Sequence, residues 1–355
     1  MSDSKFVASF NSQFDRLRRN VAGGSNMVRL FFIMVFSFVL MSALKPELFL
    51  TGDNFRSMAY QLPEIGIFAI AVMLAMLIGG IDLSVVGIGN ISGILSAYVM
   101  MKLAPMIGGI GAVVVGILVA MCIGVICGFI NGVLIAKVGI PAMLATLGTM
   151  EIFSGLGIVL TKGAAVFGLP EEYASIGTGA IVGIPTPIII FIVVVSIFTI
   201  VLQRKKFGLE LYLLGTNPKA ARFTGIKNSA TIIKAHMLGG FLASIAGIIL
   251  SSRVNSAKAD YGSSYTLLCI LVSVLGGVNP NGGFGKVTGV VMSILTLQFL
   301  SSGFNMLRFD SYQKNFIWGA VLILAMIMNY YGNKRADKRK TKMSLKAQNN
   351  QAAAG

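Results

Sequence analysis

Three carboxylates lie within otherwise apolar stretches of this chain, at Glu64, Asp82 and Glu151. If those stretches cross a membrane, each ionisable side chain is costly there and is a candidate for a functional role. Asp82 stands in the segment Gly-Gly-Ile-Asp-Leu-Ser, at the boundary between two apolar stretches. Its carboxylate could line a gate or pathway, or it could cap the helix that begins after it. The residues by themselves leave both roles open.

The motifs of common catalytic sites are missing from the sequence. The nearest approach to a phosphate-binding loop ends at Gly285-Lys286, but Val287 replaces the required Ser or Thr and Pro280 replaces the first glycine. There is no G-x-S-x-G or H-E-x-x-H segment. The three cysteines form no C-x-x-C pair, and His236 is the sole histidine, so a metal or redox centre has no ligand set. We therefore expect no enzyme activity and no bound cofactor in this chain.

The composition predicts an integral membrane protein. Of 355 residues, 55% are hydrophobic and 12% are charged, whereas soluble domains carry about 25% charged residues. The net charge of +16 would also suit a nucleic-acid-binding protein. However, the basic residues cluster in loops and near the termini, as membrane topology requires, so we expect no nucleic-acid partner. The first thirty residues lack a small-residue cleavage site, and we expect them to stay with the mature protein.

Ten apolar segments are candidate membrane spans, which predicts an all-α fold. The segments are Val28–Leu44, Pro63–Ile78, Leu83–Met101, Met106–Ile135, Ala142–Leu160, Thr186–Leu202, Thr231–Ser251, Tyr265–Gly277, Val287–Met306 and Asn315–Tyr331. The fourth is long and interrupted by glycines, which favours a kink. The eighth is short and ends in two glycines, which is typical of a half-helix or re-entrant segment.

The distribution of Lys and Arg indicates the topology. With ten spans, the basic residues concentrate on the side of both termini and of the loop 203–230, which are therefore expected to be cytoplasmic. We expect a cytoplasmic segment at 1–27, a transmembrane domain at 28–331 and a basic disordered cytoplasmic tail at 332–355.

Glycines four residues apart predict close helix packing. They are Gly124, Gly128 and Gly132, Gly89 and Gly93, and Gly285 and Gly289.

Two loops between the spans could contact partners. In the basic loop 203–230, Asn217 precedes Pro218 and Gly225 follows a short polar run, which predicts a helix over about Pro218–Thr224. The loop is either a docking surface or a solvated segment that only sets topology. The opposite loop Lys162–Pro185 is rich in Gly and Pro, and it could be a docking surface or a connector.

Four stretches resemble the membrane-spanning permease of bacterial ABC importers for simple sugars, of the ribose, arabinose and galactose type, a family related to branched-chain amino-acid permeases. The four stretches are GGIDLSV at 79–85, NGVLI with IP and TLGTM at 131–150, the spaced pattern from Gly208 to Ile226, and the glycine-rich pattern from Leu275 to Gly289. The chain departs from the family pattern at Val86-Gly87, Val278-Asn279-Pro280 and Ser302-Gly303-Phe304-Asn305.

The resemblance implies a permease in the bacterial inner membrane that works with a second permease subunit, more readily an identical copy than a different chain. A separate ATPase subunit would bind ATP and Mg²⁺, and a periplasmic binding protein would deliver a monosaccharide or similar small polar solute. The residues implied to contact the ATPase are Gly208, Tyr212, Gly215, Asn217, Pro218, Ala220, Ala221, Gly225 and Ile226. The candidates for a gate or translocation path are Asp82, Ser84, Asn90, Asn131, Thr146, Glu151 and Asn305.

Two alternatives come from other classes. A self-contained carrier would couple transport to an ion gradient, but the acids within the apolar segments are sparse for that chemistry. A membrane scaffold would transport nothing.

Overall fold

A computed structural model describes residues 24–327, which are mostly helical. The elements are α1 (Gly24–Leu44), α2 (Pro46–Phe49), α3 (Gly52–Leu77), α4 (Val85–Ile107), α5 (Gly109–Val133) with a π-helical turn at Leu134–Val138, α6 (Ala142–Thr161), α7 (Glu171–Thr178), β1 (Ala180–Ile181), β2 (Ile184–Pro185), α8 (Thr186–Arg204), α9 (Lys206–Thr216), α10 (Pro218–Phe223), α11 (Asn228–Val254), α12 (Tyr265–Leu275) and α13 (Val287–Met306). Strands β1 and β2 form an antiparallel hairpin.

Within residues 24–327, eight helices are long and apolar enough to cross a membrane. They correspond to the first seven predicted spans and the ninth, so the all-α, multi-pass membrane fold is confirmed. The prediction of Val287–Met306 matches α13 at both ends. The fourth span runs through the π-helical turn to Val138.

Helix α3 begins well before the predicted start at Pro63, which instead lies inside the helix. The side chain of Thr51 accepts a hydrogen bond from the backbone N–H of Asn54 and so caps the N-terminus. The first turns carry polar residues, among them Asp53, Asn54 and Arg56. Because a hydropathy criterion rejects polar turns, the sequence prediction placed the start of this helix too late.

Helix α12 has 11 residues, which confirms that the eighth segment is short. At 1.5 Å per residue this helix is about 16 Å long, roughly half the hydrocarbon thickness of a bilayer. The loop that follows it contains Gly277, Gly282, Gly283 and Gly285, all with positive φ. This loop returns the chain to the start of α13.

Glycines allow α5 and α11 to pack closely, as their spacing predicted. A Cβ on Gly124 would overlap the carbonyl oxygen of Gly240, and a Cβ on Gly128 would overlap that of His236. Likewise, Gly89 of α4 lies against the backbone of Ala243. These contacts bring the backbones of α4, α5 and α11 together and fix where the side chains of α11 point.

The chain divides after Phe309 into two units. In the second unit, residues 311–327 are helical and coincide with most of the tenth predicted span. The end of that span at 328–331, the predicted tail at 332–355 and most of the predicted N-terminal segment at 1–27 lie outside the described residues.

Candidate functional site

The segment between α3 and α4 is not helical, and it carries Asp82. Helix α3 ends in a Schellman motif, in which Gly80 N–H bonds to Ala75 O at 3.1 Å and Gly79 N–H bonds to Met76 O at 3.0 Å. Gly79 has φ +84°, the left-handed conformation that this motif needs. The chain then runs without regular structure to Ser84, and α4 begins at Val85.

The carboxylate of Asp82 is buried and accepts three hydrogen bonds. Its Oδ1 accepts from the backbone N–H of Ser84 at 2.9 Å and from the Ser84 hydroxyl at 2.6 Å. Its Oδ2 lies 3.1 Å from Nδ1 of His236 on α11. Burial opposes the charged form, but the hydrogen bonds from His236 and Ser84 outweigh it and lower the pKa of Asp82 below its ordinary value. The carboxylate therefore stays ionised at neutral pH and ties the nonhelical segment to α11.

Two further predicted residues join this network. The amide of Asn131 on α5 donates to the hydroxyl of Ser84 at 2.7 Å. The hydroxyl of Thr146 on α6 lies 3.1 Å from Ile81 O and accepts from Leu83 N–H at 3.2 Å. Four candidates from the sequence, Asp82, Ser84, Asn131 and Thr146, thus meet around one segment. We refer to them, together with His236, as the Asp82 cluster.

His236 is the member of this cluster that the sequence analysis missed. Because Oδ2 of Asp82 is an acceptor, Nδ1 of His236 carries the proton. Its Nε2 and the Oδ1 of Asn131 have no hydrogen-bond partner within residues 24–327. A single histidine within an apolar segment could have been flagged as an intramembrane ionisable group, as the acids were.

The remaining candidates lie elsewhere. Asn90 on α4 donates to the carbonyl oxygens of Ala259 and Tyr261, both at 2.8 Å, and so anchors the segment before α12. Glu151 is exposed at the middle of α6. Asn305 near the end of α13 lines a polar cavity between α13 and α3. The structure therefore does not bring these three residues to the Asp82 cluster.

A buried ion pair joins α3, α11 and the start of α12. Arg253 donates from Nε to Oε2 of Glu64 at 3.1 Å and from its terminal nitrogen to Oε1 at 2.8 Å. The hydroxyl of Tyr265 donates to Oε1 at 2.9 Å. The sequence flagged Glu64 as an intramembrane acid but not its partners, which lie 189 and 201 residues further along the chain. The bidentate geometry gives Glu64 a structural role in packing three helices.

The basic loop 203–230 is folded into the two helices α9 and α10. As predicted, Asn217 caps α10, accepting from the N–H groups of Lys219 and Ala220 at 3.0 Å each, and Pro218 occupies the first turn. Gly225 follows α10 with φ +82°. Helix α10 is thus a short, separately capped element with Lys219, Arg222 and Phe223 on its exposed surface.

Several candidates for partner contact point inward instead. Ala221 and Tyr212 are buried, and the Tyr212 hydroxyl donates to Gly285 O at 2.7 Å. Burial raises the pKa of Tyr212 to about 12, so this hydroxyl stays protonated and able to donate. A Cβ on Gly215 would overlap the backbone of Leu77 and Gly283. Of the two alanines of α10 that the resemblance implied to contact the ATPase, Ala220 is exposed, whereas Ala221 packs within the chain.

The close approach at Gly215 links the basic loop to the Asp82 segment. Gly283 N–H bonds to Leu77 O at 2.9 Å, two residues before Gly79. A Cβ on Gly282 would lie 2.7 Å from Gly215 O and 2.9 Å from Gly79 N. The backbones of α9, of the glycine-rich loop and of the end of α3 are therefore in direct contact. Since cores and interfaces deform little, such a contact can transmit motion.

Phe223 is the exposed residue of this loop that sequence reasoning overlooked. Its side chain is 93% exposed on α10. Its position beside Arg222 was a readable signal, because aromatic residues and arginine are both enriched at protein interfaces.

Comparison with known proteins identifies the family. The family model described as branched-chain amino acid transport system, permease component, matches residues 54–326, well over half of the chain. The ribose import permease proteins of Haemophilus influenzae and Bacillus subtilis are 32% and 33% identical over 312 and 300 residues, which cover 86% and 84% of this chain and 94% and 90% of theirs. The D-allose transport system permease protein of Escherichia coli K12 is 29% identical over 304 residues, covering 84% of this chain and 90% of its own.

No solved structure matches this chain with statistical significance. The relatives are permease components rather than enzymes, as expected of this chain, and they do not favour a self-contained carrier. Permeases of this family work with an ATPase and a binding protein. With its eight apolar helices and a family match over residues 54–326, the chain is a transmembrane permease subunit of an ABC importer and belongs to the family of branched-chain amino acid transport system permease components.

Proposed function

We propose that this permease forms the translocation path for a monosaccharide or a similar small polar solute that a periplasmic binding protein delivers. The names of its relatives, for ribose and D-allose, support this solute class. The observation that carries the proposal is the separately capped, exposed helix α10, since a pore that is driven by another protein must present a surface to that protein.

The ATPase subunit contacts α10 in this proposal. Phe223 offers an aromatic anchor, and Lys219 and Arg222 offer positive charge for an acidic rim on the partner. Force on α10 and α9 reaches the Asp82 segment through Gly215 and Leu77. ATP and Mg²⁺ bind to the ATPase and not to this chain.

The topology proposed here has ten spans in the bacterial inner membrane, with both termini and the basic loop 203–230 in the cytoplasm. The segments are a cytoplasmic stretch at 1–27, the transmembrane domain at 28–331 and a basic tail at 332–355. The concentration of Lys and Arg on one side supports this orientation.

The exposed face of α6 supports a second permease subunit, which we propose to be an identical copy. Glu151 lies at the centre of that face, opposite the buried side that includes Thr146, Thr149 and Phe153. A charge facing lipid in the middle of a span costs roughly 2.5 kcal/mol or more. By contrast, the exposed face of α8 carries Ile192, Val193, Ile197 and Ile200, which suit lipid. A water-filled path between two copies would keep Glu151 hydrated.

The loop Lys162–Pro185 offers the binding protein a rigid contact. It contains α7 and the β1–β2 hairpin, whose turn residues Val182 and Gly183 both have positive φ, as in a type I′ turn. Val182 is 96% exposed at the tip. An exposed apolar residue at the tip of a hairpin suits docking to another protein better than an irregular connecting loop would.

Reconstitution tests the proposed function. The chain is incorporated into liposomes with its ATPase and binding protein, and uptake of labelled ribose or allose is measured with and without ATP. We expect ATP-dependent uptake that Phe223→Ala reduces at least tenfold, together with weaker co-purification of the ATPase. Phe36→Ala, a 66% exposed phenylalanine on α1 that belongs to neither proposed docking loop, is the matched control and should transport normally. Uptake by the chain alone on an ion gradient would contradict the proposal.

A further inference from the structure

Polar faces of two helices meet around a cavity of about 230 Å³ between α3 and α13. From α3 come Asn54, Ser57, Met58 and Gln61, and from α13 come Gln298, Ser302, Asn305 and Met306. In both sets the residues recur at the spacing of one helix face. Where these stripes are buried, as at Gln298 and Ser302, their polar groups need hydrogen-bond partners.

The lining contains hydrogen-bonding groups but no charge. Four carboxamides and two hydroxyls supply both donors and acceptors, and the two methionines supply flexible apolar surface. Each hydroxyl of a sugar is likewise both a donor and an acceptor. The C–H groups of the sugar ring pack well on the thioethers of methionine. An amino acid would bring two charges into a site that has no counter-charge, which is unfavourable.

Gln298 shows that the lining is incomplete without a ligand. Its side chain is 6% exposed and lines the cavity, yet it makes no hydrogen bond within the described residues. Other lining groups are already engaged, since Ser302 Oγ donates to Asn54 Oδ1 at 2.6 Å and Gln61 donates to Ser57 Oγ at 2.9 Å. These bonds hold the walls in place and leave the amide of Gln298 available to a molecule in the cavity.

We propose that this cavity binds a neutral, polyhydroxylated solute of monosaccharide size. The volume exceeds that of a single water severalfold, and it suits one small ring better than a disaccharide. The inference rests on the proposed function, because it assigns the transported solute class to particular residues. In the proposed topology the cavity lies toward the periplasmic ends of α3 and α13, where a delivered solute would first meet the permease.

Protection from thiol labelling tests this site. Ser57→Cys, in a chain whose exposed Cys122 is replaced by serine, is assembled with the ATPase in lipid nanodiscs and treated with a charged methanethiosulfonate. We expect D-ribose or D-allose to slow labelling at least fivefold, and L-leucine to leave the rate unchanged. Ser263→Cys, an exposed position away from the cavity, should show no protection by either sugar.

Adding Gln298→Leu to the Ser57→Cys chain should abolish protection of the introduced thiol by sugar, and Gln298→Leu alone should raise the KM for sugar uptake about tenfold. The matched control is Thr296→Val on the same helix, because Thr296 is similarly buried but bonds to its own helix at Met292 O. If Gln298→Leu fails to fold, Asn305→Leu replaces it, and the loss of protection is scored in the same way. Full protection in either variant, or equal protection by leucine, overturns the proposal.

The outcomes separate this site from the proposed function. ATP-driven sugar uptake without any protection of the thiol introduced by Ser57→Cys refutes the site and leaves the importer intact. Protection by sugars in a complex that shows no ATP-driven uptake supports the site and refutes the importer.

Discussion

The imidazole Nδ1 of His236 lies 3.1 Å from Oδ2 of Asp82, across 154 residues of sequence. Both side chains are almost fully buried. The pair joins the nonhelical segment between α3 and α4 to the centre of the α5–α11 contact. Ser84 and Asn131 extend it to α5. The hydrogen bonds of the Asp82 cluster thus stabilise a segment that lacks the hydrogen bonds of a helix.

Removing the hydrogen bond between His236 and Asp82 should destabilise the fold. His236→Ala removes one of three donors to a buried carboxylate, which costs about 1–3 kcal/mol. We expect a lower Tm for the detergent-purified protein. Asp82→Asn should also lower the Tm, and the two changes together should cost less than the sum of their separate effects, because they remove the same bond.

Lys234→Ala on the same helix serves as the control, since Lys234 is exposed. Additive losses for Asp82→Asn and His236→Ala would show that the pair is not coupled. If Asp82→Asn abolished uptake without lowering the Tm, Asp82 would gate transport rather than stabilise the fold.

The Glu64–Arg253 pair should be the most sensitive ionic contact of the described chain. Arg253→Met leaves Glu64 buried without its cation, and we expect a loss of about 3–5 kcal/mol. The double variant Glu64→Gln with Arg253→Met should recover much of that loss, because no buried charge remains. Thermal unfolding in detergent measures the loss of stability in the single variant and its recovery in the double variant.

The exposed pair of Lys258 and Asp260, at 2.9 Å, provides the comparison. Lys258→Met should cost no more than about 1 kcal/mol, since solvent screens such pairs. Equal losses in the free energy of unfolding for Lys258→Met and Arg253→Met would mean that the burial of Glu64 does not determine how much its ion pair stabilises the fold.

Gly215 should not tolerate even one methyl group. Gly215→Ala places a Cβ against the backbone of Leu77 and Gly283, where neither side can move easily. Overpacking of this kind costs typically about 1–3 kcal/mol, so we expect less folded protein and a lower Tm. Gly52→Ala, with open space around its Cβ position, should leave the Tm unchanged or slightly raised.

The cap at Asn217 should control the local stability of α10. Asn217→Ala removes two hydrogen bonds to the first turn and should cost about 1 kcal/mol. Hydrogen exchange at residues 218–223 should rise about fivefold, whereas exchange in α13 should not change. Asn217→Asp keeps the acceptor and should protect the helix. Unchanged exchange in the alanine variant would mean that packing of Ala221 alone holds α10.

Features that depend on neighbouring residues were predictable from sequence. The apolar runs predicted α13 at both ends and the shortness of α12, and the pair Asn217-Pro218 predicted the start of α10. The start of α3 was not predicted, because its first turns carry polar residues that a hydropathy criterion rejects. Hydropathy senses the solvent around a segment and not the hydrogen bonds that begin a helix.

The candidate site divides in the same way. The sequence patterns named Asp82, Ser84, Asn131 and Thr146, and packing brought those four together. The sequence by itself determined a basic, multi-pass helical membrane protein, because hydropathy, charge and capping act over a few residues, and its motifs carried the resemblance to permeases. Only the tertiary structure decided that His236 meets Asp82, that Arg253 meets Glu64, and that Gln298 faces a cavity rather than a partner. These outcomes depend on which helices cross and at what distance, since a buried polar group is satisfied by whatever the packing places beside it.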